Sequence, residues 1–215
     1  ESRGLGDVYK RQVLDGFYVI DMHNFSVNSI IDIPLLSGKT IRNGIHSIYC
    51  DKENNAVWIG LFNQGVCYYH PSMNKLTLCN KKLLRGAWGG EEIRCMLETF
   101  GGDILMGTAQ GLYRYDPKSH SMDILYKEFN QKNCRVLYED SKKRIWVGTY
   151  HDGLYCIEAG KVRAYAYPDT DYQNELDFSN IRAIIEDPSG RLWISIYGYG
   201  GVGQFNPETG EISLL

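Results

Sequence analysis

The sequence repeats itself, and no other feature of it limits the fold so tightly. "IHSIYCDKENNAVWIGLFNQGVCYYHP" (45–71), "IRCMLETFGGDILMGTAQGLYRYDP" (93–117), "CRVLYEDSKKRIWVGTYHDGLYCI" (134–157) and "IRAIIEDPSGRLWISIYGYGGVGQFNP" (181–207) share one pattern. Each reads as an apolar strand, a polar or acidic turn, a strand centred on Trp, a Gly-containing turn and an aromatic strand. A short fourth strand follows each: "KLTLC", "SMDILY", "KVRAYAY" and "EISLL". Gly65, Gly111, Gly153 and Gly201 lie 46, 42 and 48 residues apart, and Gly16 in "GFYVID" lies 49 before Gly65. Two strands and a turn are too little to fold alone, so the units must complete one another. Four strands at this period predict β-propeller blades, and no helical period of apolar residues persists anywhere.

The residue choices suit blades. Trp58, Trp146 and Trp193, with Leu105 in the odd unit, hold one strand position. Blade sheets are covered on both faces, so these side chains are expected in the core, filling the wedge between sheets. The turns "DKENNA", "DSKKR" and "DPSGR" use residues that bond their own backbone, and the Gly after the Trp strand supplies freedom where strands two and three connect. The 16 Tyr mostly fall in third and fourth strands, where packing is their default role.

Composition excludes several functions. A net charge of -3 and a pI near 6.0 offer no basic face to displace phosphate counterions, so no nucleic acid partner is expected. No apolar run approaches the roughly 20 residues that cross a bilayer. Six Cys lie far apart without a C-x-x-C, and their strand settings predict buried thiols rather than a disulfide framework. Five His (23, 46, 70, 120, 151) show neither H-x-H nor H-E-x-x-H spacing, so no metal and no cofactor are expected. There is no G-x-S-x-G and no phosphate loop. His151 and Asp152 are adjacent on a turn, where side chains point apart and backbone bonding is the usual role. "DVYKRQ" (7–12) is what the end sequence recognised by a library-preparation transposase encodes, so residues 1–12 are read as translated adapter. The chain stops at "GEISLL", directly after a strand, and is read as part of a longer polypeptide.

"IRAIIEDPSGRLWIS", "CRVLYEDSKKRIWVGTYHDGLYCI" and "GTAQGLYRYDP" resemble the two-component regulator propeller repeat, whose pattern runs I-x-x-I-x-E-D-x-x-G-x-L-W-I-G-T-x-x-G-L-Y-R-Y-D-P. The resemblance covers nearly all of residues 13–215. It departs at Thr99 and Leu105, which replace the Asp and Trp, and at "WISIYGYGG", which lengthens one turn and makes it aromatic. The resemblance implies seven-bladed propellers in the periplasmic sensor region of hybrid two-component proteins of gut Bacteroides and relatives. Many of these respond to oligosaccharides, and membrane, kinase and DNA-binding parts follow elsewhere in the polypeptide. The expected fold is therefore all-β, a β-propeller fragment: an open arc of about four to five four-stranded antiparallel blades from a seven-bladed ring. Its blades are placed at 13–40 (partial), 41–90, 91–131, 132–178 and 179–215. The expected partners are an oligosaccharide or other small ligand, neighbouring blades and domains of the same polypeptide, and a second copy in a homodimeric sensor. Streptogramin-inactivating lyases are propellers with similar repeats, so a lyase-like enzyme or a protein-interaction scaffold is the alternative.

Two sets of residues are candidates for ligand contact. Loops free of ladder bonds bind most propeller ligands. The strand two to three turns hold Phe62 and Asn63, Ala109 and Gln110, Tyr150 and His151, and Tyr197 and Tyr199; the inter-blade loops add Arg85, Trp88 and Tyr172. Aromatic faces beside Arg, Asn and Gln suit sugar rings and their hydroxyls, while Trp88 packing over a blade edge is the bland alternative. Separately, His46, Arg94, Arg135 and Arg182 share one alignment position, at the start of the innermost strand. They form either a cationic collar at the channel mouth for an anion or structural pairs with carboxylates such as Glu139, Asp140, Glu186 and Asp187. Structural pairing is preferred, because it explains a repeated residue.

Overall fold

The computed structural model describes residues 8–9, 12–13, 16–21, 24, 26–30, 45–51, 55–61, 65–70, 75–79, 85–86, 92–116, 119, 121–165, 180–197 and 201–215. Regular structure there is nearly all strand, with one 3-10 turn at Lys127–Phe129. No helix among the described residues is long and apolar enough to cross a membrane. By its contacts the chain divides into two units, Glu1–Arg94 with Pro117–Met122, and Cys95–Asp116 with Asp123–Leu215.

In the first unit, Val8–Tyr9 (β1), Gln12–Val13 (β2) and Val27–Ile30 (β4) all pair antiparallel with Gly16–Asp21 (β3). Ile45–Asp51 (β5), Ala56–Leu61 (β6), Gly65–His70 (β7) and Lys75–Cys79 (β8) then form an antiparallel meander. Every residue of β6 is buried, as a strand covered on both faces requires. Arg85–Gly86 (β9) is a short strand, which corrects the expectation that Arg85 lies in a loop. It runs parallel to Ser121–Met122 and so covers what would otherwise be a sheet edge. The third sheet, of Ile93–Glu98 (β10), Ile104–Thr108 (β11), Leu112–Asp116 (β12) and Ser121–Ile124 (β13), thus gains a fifth strand, in the order β10-β11-β12-β13-β9.

The second unit holds β11 and β12 of that third sheet, and two further meanders. One is Asn133–Glu139 (β14), Ile145–Tyr150 (β15), Leu154–Glu158 (β16) and Lys161–Tyr165 (β17); the other is Ile181–Glu186 (β18), Leu192–Ile196 (β19), Gly201–Phe205 (β20) and Ile212–Leu214 (β21). These repeated antiparallel meanders are the blades of a propeller fragment. Neighbouring blades bury one another's faces: Trp146, Leu154 and Cys156 pack on Ile181, Ile184, Leu192, Ile194 and Phe205, and Leu105, Leu112 and Phe129 pack on Cys134, Leu137, Val147 and Tyr155. The Trp146 and Phe205 rings meet edge-on at 5.5 Å. Trp58 and Trp146 are buried as expected, as is Leu105, but Trp193 is only half-buried. The thiols of Cys67, Cys134 and Cys156 are buried and form no disulfide, and burial pushes the Cys156 thiol up to about 11.

The Glu-Asp pairs that precede the Trp146 and Trp193 strands divide their work. Asp140 accepts bonds from the Lys142 and Arg144 backbone, from Arg144 Nε at 2.6 Å and from Trp146 Nε1 at 2.8 Å. It closes its own turn and anchors the Trp. The Glu beside it reaches the previous blade. Glu139 accepts from the Phe100 N–H at 2.6 Å, and Glu186 accepts from the Ser141 N–H and hydroxyl at 2.8 and 2.7 Å. Lys142 and Arg144 add ion pairs to Glu208 of the next blade.

Candidate functional site

Three inner strands bulge at the same place. In β5, Ile45 faces Leu61 and Ser47 faces Gly60, so His46 has no residue opposite it. In β14, Cys134 faces Thr149 and Val136 faces Gly148, which singles out Arg135. In β18, Ile181 faces Ile196 and Ala183 faces Ser195, which singles out Arg182. A bulged residue leaves the ladder's alternation, and its side chain is re-aimed. The shared alignment position is therefore a shared backbone feature.

In the second unit both bulge arginines meet an aromatic ring at the end of strand two. Arg135 Cζ lies 4.9 Å from the centroid of Tyr150, and Arg182 Cζ lies 4.7 Å from that of Tyr197. Asn180 joins the two places: it forms an antiparallel bridge with Tyr150, and its carbonyl accepts from the Tyr197 N–H at 2.9 Å. The residues proposed separately as channel-mouth cations and as loop aromatics thus belong to one arrangement. Beside it, His151 takes a left-handed backbone with φ 84°, sparsely populated for a non-glycine residue. Its ring centroid is 3.8 Å from that of Tyr150. Thr149 fixes this turn, its hydroxyl donating to the Gly153 carbonyl at 2.7 Å and accepting from the Asp152 N–H. Asp152 pairs with Lys132 at 2.6 Å. His151 and Asp152 therefore have separate partners.

The four carboxylates named as partners for the arginines have bonds of their own elsewhere. Glu139 and Glu186 bond the preceding blade, and Asp140 bonds Arg144 and Trp146. Asp187 bonds Ser189 and Trp193. These carboxylates lie at the far end of the inner strand from the bulge, because a strand rises about 3.3 Å per residue. Arg94, in the first unit, does form an ion pair, but with Glu92 at 2.9 Å. Gln110 is exposed, and its backbone closes a turn with Thr108 and Gln131. The expectations on Phe62, Asn63, Trp88, Tyr172 and Tyr199, and on the side chains of His46 and Arg85, fall outside the described residues.

Asn133 and Asn180 were missed by the sequence reading. Each stands two residues before its arginine, so the strings "NCR" and "NIR" repeat where the third sheet has "EIR". Extending the repeat alignment two residues upstream would have exposed them. Among the described residues, no group of three or more His, Cys, Asp or Glu side chains is placed to hold a metal ion.

Residues 128–151 and 175–198 match the family described as Two component regulator propeller. No curated protein matches the sequence. Among solved structures, the extracellular domain of a hybrid two component system from Bacteroides thetaiotaomicron superposes with a TM-score of 0.69 at 20% identity. The match covers 92% of this chain and 25% of that one, so the chain spans a quarter of that domain's length. A catalytically inactive virginiamycin B lyase from Staphylococcus aureus with quinupristin gives 0.70 at 10% identity, covering 100% of this chain and 73% of the lyase. A Bacteroides thetaiotaomicron protein of unknown function gives 0.61 at 16% identity, over 91% and 55%. At these identities the likeness is one of fold.

Proposed function

We propose that this chain, two stretches of which match the two component regulator propeller, is part of the extracytoplasmic sensor region of a two-component regulator and takes an oligosaccharide as its ligand. In this reading the blades themselves do no chemistry. Binding is relayed to membrane and kinase segments of a longer polypeptide, with a second copy as a further partner. The observation that carries the reading is the repeated Arg–Tyr pair at adjacent blade ends. It offers apolar faces and fixed donors but no nucleophile or paired acid and base, and that suits recognition better than turnover. The hybrid-system neighbour supports the extracytoplasmic placement, because it too is an extracellular domain.

The alternative, a lyase-like enzyme, draws on the fold likeness to virginiamycin B lyase. Incubation with quinupristin separates the two readings, since conversion of that ligand to product would sink the non-catalytic one. The sensing reading is tested by calorimetry with neutral and acidic tetrasaccharides, comparing wild type with Trp88→Ala and Tyr197→Ala. A bound saccharide and a weaker Tyr197→Ala variant are expected. Affinity unchanged in both folded variants would remove this surface from the site.

A further inference from the structure

The residue two places before each arginine differs in charge from sheet to sheet. Before Arg94 stands Glu92, and the two bond at 2.9 Å. Before Arg135 and Arg182 stand Asn133 and Asn180, so at these places the same position brings no negative charge. The Oδ1 atoms of both amides are buried and accept no hydrogen bond among the described residues. A shielded acceptor without a donor costs roughly 1–3 kcal/mol, so each is a vacant half of a hydrogen bond. Asn180 is only 5% exposed, whereas Tyr197 is 64% exposed. Arg182 is exposed and makes no ion pair among the described residues.

We propose that Asn180, Arg182 and Tyr197, with Tyr150 and Arg135 adjoining through Asn180, form a recognition site for a carboxylate-bearing saccharide, a uronic acid unit rather than a neutral sugar. This rests on the saccharide-sensing role proposed above. Each part answers one feature of such a ligand. The guanidinium of Arg182, supported on the Tyr197 ring, keeps N–H donors for a planar carboxylate. The exposed ring offers an apolar face to sugar C–H groups. Asn180, buried beneath them and uncharged, places no internal carboxylate against the arginine. The bulge in β18 holds the arginine on a strand instead of a loop, so its position is set before the ligand arrives. A neutral sugar could cover the ring but would leave the cation without a counter-charge.

The test is calorimetric titration of the chain with tetragalacturonate and with the neutral galactose tetrasaccharide. Wild type is expected to bind the acidic probe at least about tenfold more tightly, with affinity falling as salt rises. Arg182→Gln is expected to weaken that binding roughly 10- to 100-fold. Asn180→Asp should do the same while keeping the arginine, because it supplies the internal carboxylate that Glu92 supplies to Arg94. Arg94→Gln should leave binding unchanged. If either second-unit variant loses its fold by circular dichroism, the wild-type preference and its salt dependence decide the matter. Equal or tighter binding of the neutral probe overturns the carboxylate assignment and leaves saccharide sensing standing. Binding of neither probe overturns both. A loss in Arg94→Gln as large as in Arg182→Gln overturns the location of the site.

Discussion

Asp187 gathers five donors onto one carboxylate. The Ser189 N–H and hydroxyl and the Arg191 N–H bond Oδ1, while Trp193 Nε1 at 3.0 Å and Gln204 Nε2 at 3.3 Å bond Oδ2. Bonds from Ser189 and Trp193 hold its carboxyl down to about 2, from an ordinary 3.8. Donors favour the charged form, and the unfolded chain therefore takes up this proton at a higher pH than the folded one. The stability it contributes is complete above the ordinary value and is lost as pH falls toward 2. Urea unfolding of wild type and Asp187→Asn, followed by fluorescence, should show a gap in midpoint that narrows across that window. A gap independent of pH would mean that the carboxylate's charge contributes nothing. The sequence announced this residue as a turn former, and it is one. Its bond to the Trp six residues on was not legible, because it depends on the hairpin bringing Trp193 back beside the turn.

At the scale of strands, the glycine before the second turn is chosen for space. A Cβ on Gly148 would lie 2.5 Å from Val136 Cγ1 and 2.6 Å from Ile181 Cγ2, and one on Gly107 would strike Cys95 and Cys134. The inner strand of the next blade lies directly against these positions. Gly148→Ala is expected to lower stability by about 1–3 kcal/mol through overpacking, read as a lower urea midpoint at unchanged slope; an unchanged midpoint would show that Ile181 yields freely. Strand order and the Trp, Gly and Asp positions were legible because they recur at a fixed period. The partner of each Glu was not. Glu139 and Glu186 stand beside an Asp that serves its own turn, so the sequence suggested pairing within the blade, yet alternation along a strand sends neighbouring side chains to opposite faces. The bulges were equally hidden, since one extra residue in a strand leaves no mark on composition or spacing.

Taken whole, the chain is a series of sheets that each need a neighbour, and its last sheet keeps apolar side chains in solvent. Ile185 is 61% exposed and Val202 41%, whereas Trp146 in the sheet before is fully buried. Exposed apolar area of this kind favours association. The chain is expected to bind an apolar fluorescent dye in its native state, and Ile185→Lys with Val202→Thr should reduce the signal without lowering the unfolding midpoint. No native-state dye binding would mean that these side chains are covered in solution. The bulges carry a different consequence. A residue that has no partner across the ladder can be exchanged without shifting any pair on either side of it. Positions 46, 135 and 182 each stand outside the pairing of an otherwise fixed ladder. A change of side chain at any of them can therefore be made one sheet at a time, while the grammar that folds the sheets stays as it is.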